Sequence, residues 1–425
     1  MTQVSTTITH DNEGRAWVEP DFRRLWMATA VSRLGSEMGE LALPLLAIIT
    51  LSASAGELGI LRTTQFLPFL VATLPFGVLV DRVPKRHLMI ISDLGRFVLV
   101  ALIPILVWLG ITTIEWYYAL VFVAGLFTVL YQLADFAYLP LLVSRSQIID
   151  ANGKLTATQS GNEIAGKGIG GMIVEWLTAP MAVLFDAMTY LISALNLLRI
   201  ERIEPPRLHT ATHRSALADG VEGLTVALRN RFIRPLLGEA TTFNFFNEIF
   251  IIGLLLYTVR EIRLGPILLG LVFVAGGLGS VLGAWFGARV TGRFGYGRVL
   301  LTTLILGNAA PMSVLLLHSN AAPAVTVLGS GFLVMGVGIG IANVHAVTLR
   351  QIAIPEHLRG RVNAGYRLIS WGALPLGALL GGILAESAGP YNTTLIGAIG
   401  IASATLWVLF SPIPKLRAIT DAIGG

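Results

Sequence analysis

The sequence predicts an all-α membrane protein of twelve transmembrane helices in two pseudo-symmetric six-helix bundles. Three observations predict it. Hydrophobic residues make up 54% of the 425-residue chain and charged residues 13%, with a mean hydropathy of +0.73. A soluble domain carries about a quarter of its residues as Asp, Glu, Lys or Arg. Twelve apolar stretches are each long enough for a hydrocarbon core of about 30 Å. Finally, one gap-free offset of 211 positions lays much of the second half of the chain on the first.

In chain order, residues 1–23 form a polar tail without the apolar core of a cleavable signal peptide, so the first span is expected to serve as the insertion signal. Spans over 24–50, 56–80, 88–110, 114–140, 156–177 and 181–198 build the first bundle, 24–198. A polar linker, 199–234, has helical spacing over 219–232 and is expected to lie along the membrane surface. Spans over 235–257, 266–289, 298–318, 323–345, 365–386 and 391–411 build the second bundle, 235–411, and 412–425 is a tail. The 46 glycines suit helices that approach closely in lipid. Without cysteine there is no disulfide or thiolate chemistry.

The net charge of +5 is topological. Arg15, Arg23 and Arg24, then Arg82, Lys85 and Arg86, Arg145 and Lys154, the linker, Arg289, Arg293 and Arg298, and Arg350, Arg359 and Arg361 fall on one side. Lys415 and Arg417 of the tail join them, while the other side carries Arg260 and Arg263. The positive-inside rule then puts both termini in the cytoplasm. Cations divided among short loops do not make a nucleic-acid surface.

The offset brings Asn152 onto Asn363, Gly166 onto Gly377, Gly170 and Gly171 onto Gly381 and Gly382, and Glu175 onto Glu386. It also brings Leu58 and Gly59 onto Leu269 and Gly270, and Arg82 onto Arg293. Internal repeats of this kind mark secondary transporters whose halves rock about a central site.

Between the second and third spans lies GVLVDRVPKR, residues 77–86. So dense a cluster of charge cannot sit in hydrocarbon and must be a loop at a membrane face. It resembles the signature loop between helices 2 and 3 of the major facilitator superfamily. FRRLW at 22–26, SRLG of the first span, YLPLLV leading into DANGKLTATQS, and GRVNAGYRLISWGALPLGALLGG at 360–382 resemble its drug and siderophore exporter branch, which includes the enterobactin exporter and the macrolide efflux proteins. The resemblance implies an ion-coupled exporter of small amphipathic molecules.

It further implies a conformational latch on the cytoplasmic side. Gly77 lets the second span press on its neighbour, and Asp81 sits beside the start of the eleventh span near 358–361. Arg82 follows it, and Lys85 or Arg86 bridges to Asp135. Two positions depart from the family pattern: Pro84 stands where glycine is usual, and Lys167 replaces the proline of a Gly-Pro-x-x-Gly-Gly kink. Under the offset Asp81 falls on Gly292, so the acidic latch belongs to one half.

Ionisable groups within membrane spans are functional candidates, because the bilayer makes them expensive. Lys167 has three readings: an ion pair with Glu163 one turn earlier, a contact to an anionic substrate, or a proton-linked switch. Glu37 lies mid-way along the first span, and the offset matches it to Glu248 in the seventh. In this fold those spans line the cavity, so both are proton-carrier candidates, with Glu163 as a third; the alternative pairs Glu37 with Arg33, itself a candidate for the substrate cavity. Glu40 and Glu239 repeat the argument more weakly. Asp93 with Arg96 reads as architectural, and Asp186 as a cap. Arg367 with Tyr366 and Trp371, and Asn244 and Asn247 among Phe243, Phe245 and Phe246, would suit a pocket for amphipathic ligands.

The seven histidines show no metal-binding spacing, GxxxxGK(S/T) is absent, and no Ser-His-Asp arrangement is legible. No cofactor, metal or enzymatic activity is expected. The expectation is a monomer in the bacterial inner membrane that exports a small molecule against protons. An importer, a facilitated exchanger or a lipid-handling protein on the same scaffold are the alternatives.

Overall fold

The computed structural model describes residues 15–202, 204, 216–317, 321–355 and 358–422. A chain in lipid must satisfy its backbone polar groups within each segment, and helices do so. The helices are α1 Pro20–Leu45, α2 Ala55–Arg82, α3 Lys85–Trp108, α4 Ile114–Leu142, α5 Ile148–Trp176, α6 Ala179–Leu198 and α7 Ala216–Arg229. They continue with α8 Ile233–Leu256, α9 Pro266–Phe294, α10 Tyr296–Ala309, α11 Ala321–Ala353, α12 Arg359–Ser387 and α13 Pro390–Ala404.

Among the described residues, 10 helices are long and apolar enough to cross a membrane. The long helices that miss the apolarity are α1 and α5, of 26 and 29 residues. They carry Arg33, Glu37 and Glu40, and Glu163 and Lys167, in their middles. Several helices outrun their apolar stretches: α5 starts at Ile148 rather than 156, and α11 runs to Ala353 rather than 345. Hydropathy registers only the lipid-facing length, whereas backbone hydrogen bonding carries a helix on into water.

α1 packs on α5 and α6, α3 on α4 and α6, and α2 on α4. In the second half α8 packs on α12 and α13, and α11 on α9 and α10. The halves touch through α2 against α12 and α5 against α9. α7 lies on α12 and α8, and its Glu222 accepts from Arg361 at 2.9 Å.

The offset holds at the level of backbone geometry. α1 and α8 both end in a π turn, Leu46–Thr50 and Tyr257–Glu261. Each is followed by a left-handed residue, Ser52 at φ 52° and Arg263 at φ 58°. The hydrogen bonds Ala53 N–H to Ala47 O, 2.9 Å, and Leu264 N–H to Thr258 O, 2.8 Å, also match. Glu175 accepts from the backbone N–H of Ile267 at 2.7 Å, in the first turn of α9. Its mate Glu386 lies over Gly56 in the first turn of α2. Carboxylates at both helix starts complement the helix dipole.

The close approaches between halves are glycine contacts. A Cβ on Gly59 would stand 2.7 Å from Gly382 Cα, and one on Gly270 would stand 2.8 Å from the Lys167 carbonyl. Both lie toward the face away from the chain termini, which we call the far face. There Arg260 also donates to the Ala53 carbonyl. Among the described residues, a side chain on Gly77, Gly161 or Gly360, toward the terminal face, would meet nothing within 4 Å. The halves are joined at the far face.

Candidate substrate and ion site

A cavity of about 230 Å³ lies between the halves, lined by residues of α1, α2, α5, α8, α9 and α11. Its polar wall is Glu40, Arg62, Lys167, Asn247, Glu248 and Ser280, and its apolar wall includes Phe273, Phe332 and Met335. Glycines let α5 reach it. Gly166 packs on Glu37 and Leu34 of α1, Gly170 lies on the Met38 carbonyl, and Gly171 abuts Pro266 of α9. That wedge carries Lys167 into the space between α1 and α9.

Lys167 Nζ stands 3.2 Å from Glu40 Oε2 and 3.7 Å from Glu37 Oε2. It also faces the Phe273 ring, at 5.7 Å. Glu163, expected as its partner, instead accepts from Gln159 at 3.0 Å and is exposed. One helical turn on the same face was the wrong criterion, because the lysine reaches across to a neighbouring helix. Arg33 is not the partner of Glu37; it lies 3.9 Å from Asp135 on α4. At the cavity wall Glu40, with Glu37 behind it, therefore shares the one ammonium of Lys167.

Glu248 occupies the position matched to Glu37 but has a different environment. Both its oxygens accept from Arg62 of α2, at 3.1 Å from Nε and 3.0 Å from Nη2. The two side chains are 4% and 3% exposed, so this is a buried bidentate pair that joins the halves. Arg62 also donates to Gln65 at 3.1 Å and stacks 4.9 Å from Phe66. The sequence reading missed Arg62, although an arginine inside an apolar span is itself a signal. The offset puts Phe273 at the matching position, so the repeat could not supply the pair.

Other expected residues fall as follows. Asn247 lines the cavity, whereas Asn244 donates to the Ser370 carbonyl at 2.7 Å and ties α8 to α12. The Arg367 guanidinium stacks 3.9 Å from Trp371, which meets Phe69 of α2 edge-on at 5.7 Å. Asp81 and Arg82 are exposed at the terminal-face end of α2. Lys85 and Arg86 do not bridge to Asp135. Their backbone N–H groups donate to Glu204, at 3.0 and 2.8 Å, which caps α3. Arg86 donates to the carbonyls of Leu197 and Leu198 at the end of α6, at 2.9 and 2.7 Å. The free carbonyls of a helix C-terminus attract a guanidinium strongly, and Asp135 already has Arg33 and, at 3.3 Å, Thr29.

Comparison with known proteins agrees with this architecture. A major facilitator family described as transmembrane secretion effector matches residues 17–423. The multidrug efflux pump Tap of Mycolicibacterium fortuitum is 30% identical over 382 residues, covering 87% of this chain and 90% of Tap. Tap of Mycobacterium tuberculosis is 26% identical, covering 92% of this chain and 93% of its own length. Among solved structures, a point mutant of the nucleoside transporter NupG superposes with a TM-score of 0.72 at 12% identity, over 92% of this chain and 99% of that chain. A bacterial homologue of the iron transporter ferroportin in its inward-facing state gives 0.66 at 16% identity, over 92% and 98% of the two chains. The chain belongs to the transmembrane secretion effector family of the major facilitator superfamily, and is a membrane transporter of its efflux branch that moves small molecules, not an enzyme.

Proposed function

We propose that the chain exports a small amphipathic compound in exchange for protons, by alternating access, as a monomer in the bacterial inner membrane. All twelve long helices cross the bilayer, α1 and α5 included, because their charges face one another rather than lipid. Residues 24–198 and 235–411 act as the two rocking bundles, 199–234 as their tether, and both termini lie in the cytoplasm. The terminal face is then cytoplasmic. The curated Tap relatives, named as multidrug efflux pumps, support outward movement of drug-like compounds.

The observation that carries the reading is the imbalance at Lys167, where Glu37 and Glu40 share a single ammonium. One carboxylate needs a second positive charge, and a proton or a cationic group of the substrate can supply it, but not both at once. Mutual exclusion at one site is the minimal requirement for exchange. Phe273 and Phe332 offer the apolar part of such a substrate its aromatic faces. Glu248, held by Arg62, keeps the halves together while Glu37 and Glu40 change partners. Gly77, Asp81 and Arg82 act as the latch that holds the terminal face shut against the start of α12.

The test is ethidium efflux from a pump-deficient bacterial host over a range of external pH. The expected result is efflux that speeds up as the medium is acidified, and a flat response in the double variant Glu37→Gln, Glu40→Gln. An unchanged pH response in that variant would remove both carboxylates from the coupling step.

A further inference from the structure

The first six helices contain a second group of charges that the cavity does not use. Asp93 and Arg96 of α3 and Asp186 of α6 are at most 2% exposed, as are Ser32 of α1 and Ser193 of α6. Arg96 donates to Asp93 and to Ser32, the latter at 3.3 Å. Its guanidinium lies between the rings of Tyr131 and Tyr190, at 4.4 and 4.2 Å. Asp186 faces α1 at Gly35 and Gly39, where any side chain would collide with its carboxylate.

Two features set this chamber apart from an ordinary buried ion pair. Of the two buried carboxylates Arg96 donates to Asp93 alone, so one guanidinium balances one of two negative charges. Moreover, among the described residues ten buried side-chain polar atoms make no hydrogen bond, and five of them are here: Ser92 Oγ, Asp93 Oδ2, Arg96 Nε, Asp186 Oδ1 and Ser193 Oγ. Buried polar atoms are rarely left so, and an uncompensated charge at this depth is costly.

We infer that this chamber is a second proton-binding site, in which one proton resides on Asp93 or Asp186 beside Arg96. The groups facing it are Ser36 from α1, Tyr131 and Asp135 from α4, and Tyr190 from α6. α5 turns Lys167 to Glu37 and Glu40 instead. A line of exchangeable groups leads outward. Tyr131 OH shares a hydrogen bond with Thr29 at 3.5 Å, Thr29 donates to Asp135 at 3.3 Å, and Asp135 meets Arg33, whose side chain is 35% exposed. On the other side Tyr190 OH shares a hydrogen bond with Ser36 at 3.1 Å, one residue from Glu37. The proton enters from water beside Arg33, forms an O–H bond on an aspartate oxygen, and leaves by the same line when α1 shifts against α6. The proposal rests on the chain being a transporter, and not on the cavity glutamates.

Infrared spectroscopy of the full-length protein in liposomes at neutral pH tests it, with heavy carbon placed in the side-chain carboxyls of either aspartate or glutamate. Exposed aspartates are ionised there. The expected result is a carboxylic-acid carbonyl band that moves to lower wavenumber with the aspartate label and is lost in Asp186→Asn or Asp93→Asn. No aspartate-shifted band in the labelled wild type would overturn the proposal even if the variants do not fold. So would a band that persists in both folded variants, or one removed by sodium at constant pH. A glutamate-shifted band reports on Glu37 and Glu40 separately, so the cavity reading can fail without this one.

Discussion

Lys167→Met is expected to abolish pH-driven ethidium efflux, with a loss of at least about tenfold, while the protein still folds. Lys167 Nζ is the cation that faces both Glu40 and Glu37. Like charges at one site cannot all stay ionised without a counter-ion. When the ammonium is removed, a proton takes its place and remains, so the site no longer alternates between proton and substrate. The side chains of Lys167, Glu37 and Glu40 are 24%, 23% and 43% exposed, so water can reach Glu40 and the lysine when the charge balance changes. Gel filtration in detergent checks the folding, and efflux across a pH series checks the loss. Efflux near the wild-type rate would show that the lysine is a structural counter-ion only.

Glu248→Ala is expected to cost stability rather than coupling alone. Removing one partner of a buried, hydrogen-bonded pair leaves the other charge stranded, at about 3–5 kcal/mol. Here the stranded group is Arg62, 4% exposed, in a contact that joins α2 to α8. Replacing both with apolar residues is often close to neutral, so Arg62→Met with Glu248→Met should recover most of the loss. Thermal unfolding in detergent of the two single variants and the double variant measures this. A proton carrier would behave differently: Glu248→Ala would unfold like wild type and lose only its pH response. The symmetry match to Glu37 suggested such a carrier, and the bidentate pairing argues against it.

The comparison of Glu37 with Glu248 shows how far a sequence can be read here. Hydropathy located the helices because lipid admits little else, and the offset of 211 extends to the two π turns and the left-handed Ser52 and Arg263. The charged residues at the centre, Arg62 excepted, were read one by one, since each is costly in a membrane. Their partners were not. Glu248 meets Arg62 across 186 positions, and Lys167 meets two residues of another helix instead of Glu163 on its own. Pairing of that kind depends on which helix faces are adjacent, which the glycines of α5 decide. Asp186 read as a cap because it lies near a helix start, yet Gly35 and Gly39 draw it into a buried chamber. The loop cations read as a bridge to Asp135, but the open carbonyls at the end of α6 were nearer.

The central claim is that Glu37 and Glu40 exchange a proton for a cationic ligand beside Lys167. The most direct measurement is proton release from the purified protein in weakly buffered detergent when tetraphenylphosphonium is added. Linkage requires that a ligand which displaces a proton release it on binding. The account predicts about one proton released per cation bound at neutral pH, and none from the Glu37→Gln, Glu40→Gln double variant. Equal release from both proteins, or binding by wild type with no release, would contradict it.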